Sequence, residues 1–167
     1  MSIFEQAVHG RRLSTPHLHF HNTQLMAQFA HLAESIGAWC EAETMHTTPK
    51  GSRRGDVAIH DSEQLADIVI VCAQVAWLLG VEISETVFDL PETGRPDPPE
   101  LLGRLARGLR QANWTLCAMA LACLVADCAQ LARARSGTDL RAVIKAKLAA
   151  DEQRHFCQDA YGATRLN

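Results

Sequence analysis

Aromatic side chains are scarce in this chain: one tyrosine, five phenylalanines and three tryptophans, 5% of 167 residues. A core made instead from small and aliphatic side chains favours close helix–helix packing over a β-sandwich. β-Branched runs of strand length are missing as well, apart from Ile68, Val69, Ile70 and Val71. That run sits inside a longer apolar-periodic segment, and its length argues for helix. No charge of one sign dominates. The formal net charge of −3 gives no general affinity for nucleic acid or acidic membranes. None of the six cysteines, Cys40, Cys72, Cys117, Cys123, Cys128 and Cys157, belongs to a C-x-x-C pair. Their spacing argues against a zinc site or a disulfide framework, and apolar helical surroundings point to reduced, buried thiols. The longest strongly apolar stretch, residues 114–126, is too short to span a bilayer and ends before Asp127. The opening MSIFEQAVHGRR has neither an apolar signal region nor a cleavage site. A cytoplasmic, all-α protein of one domain is expected.

What the sequence does contain is helical periodicity. Residues 1–21 read as a short helix and a polar arm carrying His17, His19 and His21. Alternation places those three on one side of an extended segment, as a metal site or a solvated arm. The first helix pair is expected over 22–89. Its first helix spans about 23–43, with Leu25, Phe29, Leu32, Ile36, Trp39 and Cys40 at helical spacing. A connector follows with Lys50, Arg53 and Arg54 among helix breakers, suited to a phosphate lid or a plain solvated loop. Asp61-Ser62-Glu63-Gln64 reads as a capping box that starts the second helix. Leu65, Ile68, Val69, Cys72, Val75, Ala76 and Leu79 form its apolar stripe, Gly80 its end, and 84–89 a short helical turn. Residues 90–99, LPETGRPDPP, hold four of the six prolines and form the linker. A second helix pair and a C-terminal helix fill 100–160. The chain there starts at Pro98 or Pro99, breaks near Asn113, stops at Gly137 and restarts with Thr138 as cap. Trp39 and Trp77 sit in core-like positions, with a wall for a base pocket as the other use of both rings.

Two segments align with each other. Cys72-Ala73-Gln74-Val75-Ala76 pairs with Cys128-Ala129-Gln130-Leu131-Ala132. One inserted residue later, Gly80-Val81-Glu82-Ile83 pairs with Gly137-Thr138-Asp139-Leu140. The expectation is an all-α, four-helix-bundle-like fold with internal duplication of a helix pair plus a C-terminal helix.

The repeated helices resemble the MazG-like family of all-α nucleoside triphosphate pyrophosphohydrolases. The family's first-helix pattern, L-x-E-E-x-G-E-L-x-E-A, meets Leu32-Ala33-Glu34-Ser35-Ile36-Gly37-Ala38-Trp39-Cys40-Glu41-Ala42 here. Its second-helix pattern meets Glu63-Gln64-Leu65-Ala66-Asp67 and then Gly80-Val81-Glu82-Ile83. Its Lys…Asn…Arg helix meets Lys147, Asp151 and Arg154. The resemblance covers 25–88 and 120–155. It implies a Mg²⁺ (or Mn²⁺) site at Glu34 and Asp67, with Glu41 and Glu63 as further ligands. It implies phosphate contacts from Lys147 and Arg154, joined by Arg53 and Arg54. Cleavage between α- and β-phosphates uses such a metal to neutralise charge and activate water. A nucleotide is then the small-molecule partner, with no DNA, RNA or membrane, and related proteins pair, so a homodimer is expected. Where the family has carboxylates, this chain has Ser35, Ala38 and Gln64, and Cys123 stands at the second repeat's counterpart of Asp67. A non-catalytic relative that binds a nucleotide or a protein is therefore the second reading. A third is an HD-type metal phosphohydrolase built on His60-Asp61 with His21 or His31.

Overall fold

The computed structural model describes residues 2–14, 21–46, 54–90 and 97–163, and side chains over 2–8, 24–42, 61–90 and 97–151. The described residues are all-helical: α1 (Ile3–Ser14), α2 (His21–His46), α3 (Arg54–Leu79), a 3₁₀ turn (Glu85–Asp89), α4 (Pro98–Arg110), α5 (Trp114–Ser136) and α6 (Leu140–Ala163). α3 and α5 pack on each other at the centre. α2 lies on α3, and α4 pairs with α5. On the other side, α1 and α6 rest on α3 and touch each other.

Local chemistry explains most boundaries. α1 opens on a capping box: the Ser2 hydroxyl accepts from the Glu5 amide at 3.1 Å, and the Ser2 amide donates to Glu5 Oε2 at 2.7 Å. α3 ends at Gly80, whose φ of 66° puts it in the left-handed region, and the Val81 amide then closes on the Ala76 carbonyl at 3.0 Å. Ser84 caps the 3₁₀ turn through the Thr86 amide. The Asp97 carboxylate caps α4 at the Glu100 amide, 3.0 Å away, with proline in the first turn. The break near Asn113 is real. Ala112 takes φ 49°, and Asn113 Oδ1 accepts from the Leu116 amide at 3.0 Å to start α5. α4 and α5 then approach closely. A Cβ added at Gly108 would lie 2.7 Å from Cys117 Sγ.

α2 takes in His21, which was expected on the extended arm, and two further boundaries differ from the sequence expectation. α3 begins at Arg54, so Asp61-Ser62-Glu63-Gln64 lies inside the helix and caps nothing. Ser62 is 4% exposed, and its hydroxyl meets that of Ser136 at 3.1 Å. Polar residues that resemble a cap thus serve as contacts to α5. α6 begins at Leu140, where Asp139 Oδ1 accepts from the Arg141 amide at 3.1 Å. The hydroxyl of Thr138, the expected cap, sits 2.6 Å from that of Ser136.

The core is one cluster fed by every helix and the 3₁₀ turn. From Leu65 to Ala76 α3 is buried almost all round, because helices cover it on several sides. Leu65, Ile68, Leu105, Leu121, Leu124 and Ile144 are fully enclosed, each stabilising by about 1.5–3 kcal/mol relative to exposure. By length and composition alone, Asp61–Leu79 and Trp114–Ser136 also suffice to cross a bilayer, since the apolar stretch of α5 continues past Ala126. In this fold 61% and 56% of those windows are buried against other helices.

Candidate functional site

The resemblance singled out residues on α2, α3 and α6, and the structure joins some of them. Lys147, on α6, reaches across to α3. Its ammonium lies 2.7 Å from Asp67 Oδ2 and donates to the Glu63 carbonyl oxygen at 2.9 Å. Residues 80 positions apart therefore meet because α6 packs on α3. Glu63 and Asp67 are one turn apart on the solvent-facing edge of α3, both exposed. The pair is half-open, with Asp67 51% exposed and Lys147 28% exposed. Water screens it accordingly, and its contribution to stability is at most about 1 kcal/mol.

Glu34 and Glu41 lie on the exposed face of α2. Ser35, at one of the replaced carboxylate positions, turns its hydroxyl back to the His31 carbonyl at 2.9 Å. Among the described residues, no group of three or more His, Cys, Asp or Glu side chains is placed to hold a metal ion. The neighbour that the structure gives Asp67 is an ammonium, whereas Mg²⁺ takes oxygen ligands and retained waters. Arg53, His17 and His19, and the side chains of His21, Arg54, His60 and Arg154, lie outside the described residues.

Three features were missed by sequence reasoning. Two turns into α3, the Arg135 guanidinium stacks 5.2 Å from the Trp39 ring centroid and approaches Asp61 Oδ2 at 3.5 Å. Trp39 is core, as expected, with its indole Nε1 buried and unpartnered. Beside the 3₁₀ turn, Phe4 stacks on Phe88 at 5.7 Å, and Arg141 covers Phe88 at 5.2 Å while bonding Asp89. That bond, the adjacent charge of Arg141 and that of Arg133 hold the Asp89 carboxyl below its ordinary value. Third, Trp77 is 43% exposed and lines a cleft of about 660 Å³ between α1 and the end of α3. The apolar spacing of Ile3, Phe4, Ala7 and Val8 was the available signal for this third feature.

The thiols of Cys72 on α3 and Cys128 on α5 are buried. Burial pushes Cys72 up to about 12. Burial, then Cys72 and Asp127, push Cys128 well up. Thiolate is the nucleophilic form, so burial disfavours the reactive state of both. Burial also raises the Asp127 carboxyl, opposed by the Asp97 amide that donates to it at 3.1 Å and reinforced by the Asp97 charge. Compared with family models, with curated proteins and with solved structures, the chain finds no match.

Proposed function

We propose that this chain is a non-catalytic helical bundle of the MazG-like type, acting by binding rather than by nucleotide hydrolysis. The observation that carries the reading is the Lys147–Asp67 ion pair. The one carboxylate of α3 that stands in the family's register has an ammonium from within the fold as its neighbour. Ser35, Ala38 and Gln64 replace three of the family's carboxylates. Purified protein, offered nucleoside triphosphates with Mg²⁺ or Mn²⁺, is expected to release no pyrophosphate. Turnover that disappears in Asp67→Ala would overturn the reading. Thermal stabilisation by a nucleotide without turnover would identify the ligand as a nucleotide.

The second reading is a divergent Mg²⁺- or Mn²⁺-dependent pyrophosphohydrolase. The same contact favours it from the other side: a carboxylate of the metal register and a lysine of the phosphate register share one edge of the bundle. The turnover assay separates the two.

Internal duplication is part of the same proposal. Cys72 and Cys128 are both fully buried, Ala73 and Ala129 both 3% exposed, and Gly80 and Gly137 both take φ 66°. We also take the protein to be cytoplasmic and homodimeric. The balanced charge and the largely buried long helices support the first, and pairing in the resembled family supports the second. A solution mass equal to one chain would overturn the dimer.

A further inference from the structure

The cleft between α1 and the end of α3 is set apart from the candidate site, which lies near the middle of α3. Ten residues separate Asp67 from Trp77, about 15 Å along a helix. Its volume of about 660 Å³ falls in the range of small-molecule sites, about 300–1,000 Å³. Phe4, Val8, Trp77 and Ile83 supply apolar walls, and the small side chains of Ala73 and Ala76 form the floor. The charged residues lining it, among those described, are two, and both are acidic: Glu5 and Glu82.

The rim is fixed by the fold. The left-handed turn at Gly80 and the Val81–Ala76 bond set the path of residues 81–84. The Ile3 amide donates to Glu85 and ties the start of α1 to the 3₁₀ turn. One oxygen of Glu5 already accepts from the Ser2 amide. Glu82 is exposed and makes no hydrogen bond or ion pair with the described residues. Among the described residues, the cleft thus pairs an apolar interior with an acidic edge.

We infer that this cleft binds a small organic cation, an amine with a compact apolar body seated between Phe4, Val8, Trp77 and Ile83 and its ammonium at Glu82. The walls desolvate the apolar body. The carboxylates select the sign of charge, and an anion of the same shape is repelled. The volume fits a free amine of this kind, not a folded partner. The site is separate from the Asp67–Lys147 edge and holds whether or not the chain hydrolyses nucleotides.

Benzylammonium, benzyl alcohol and benzoate share a ring and differ in charge. Each is titrated into the full chain while the Trp77 indole N–H and the amides of residues 73–84 are followed by NMR. Benzylammonium is expected to shift these signals with a Kd of millimolar order, as suits a fragment this small. Benzyl alcohol binds more weakly, and benzoate is silent. Glu82→Gln, at an exposed position, keeps the unfolding temperature and weakens benzylammonium about fivefold, the value of one screened charge contact. Glu82→Lys abolishes amine binding and admits benzoate. Equal binding of benzyl alcohol and benzylammonium overturns the inference. So does an unchanged affinity in both Glu82 variants, or an absence of shifts in the cleft.

Discussion

α3 and α5 carry the same Cys-Ala-Gln run at the same depth, yet they present different chemistry to their surroundings. Leu65 and Leu121, Ile68 and Leu124, Val69 and Val125, and Cys72 and Cys128 are buried in matched pairs. The helices diverge where a different neighbour covers each. Asp67 faces Lys147 of α6, while Cys123 at the corresponding place in α5 is exposed. Val71 is buried, while its counterpart Asp127 accepts from the Asp97 amide. Inward positions are constrained by the packing the two helices share. Outward positions are set by whichever element lies across them. The charge asymmetry between Asp67 and Cys123 belongs to the second class.

The strongest way to break the comparison is to excavate both sides of the core. Leu65→Ala and Leu121→Ala, each fully enclosed, are each expected to lose about 2–5 kcal/mol. Urea unfolding reads both, and a difference beyond that spread would show the two depths to be unlike in energy. A smaller and opposite effect is expected at Gln74. It is 6% exposed, and neither its amide oxygen nor its amide nitrogen has a partner among the described residues. Gln74→Met should raise stability by about 1 kcal/mol by removing a desolvated polar group. Gln130→Met should not, because Gln130 makes a polar interaction.

The Asp67–Lys147 pair comes next. A double-mutant cycle with Asp67→Asn and Lys147→Met is expected to give a coupling below about 1 kcal/mol that fades in salt. A larger coupling would mark a desolvated pair. The smallest effect concerns Asp127. Burial raises its carboxyl, so its protonated form favours the fold. That contribution is present below the unfolded value of about 3.9 and is lost as pH rises through the higher folded value. Asp127→Asn should therefore unfold at slightly higher temperature than the parent at pH 7. The advantage should vanish as pH falls toward about 4. A gain that persists in acid would assign the effect to packing instead.

Much of the helical layout was legible. The apolar stripes of α3 and α5 mark buried faces, and Gly80, Asn113 and Gly137 mark turns because each serves a backbone need that few residues meet. The start of α3 was not legible. Asp61 and Ser62 have the composition of a cap, but their partners, Arg135 and Ser136, are distant in sequence. Capping residues and interhelical polar contacts use the same donors and acceptors, and only tertiary placement separates them. The candidate site was legible in one pair. Asp67 and Lys147 meet, while Glu34 and Glu41 lie on the exposed face of α2, since register along a helix does not say which neighbour covers it. The cleft was legible only as the apolar face of α1, because nothing in the sequence seats that face against Trp77.

The close fit of Gly108 against Cys117 sets a shared size limit for two positions. A methyl group at 108 requires the sulfur at 117 to move away, and a bulkier residue at 117 would press on 108 even with glycine there. In any relative that keeps this hairpin, the two positions should therefore vary together, with alanine at 108 accompanied by a smaller residue at 117. A chain that changes one without the other should show its second helix pair spread apart at the turn.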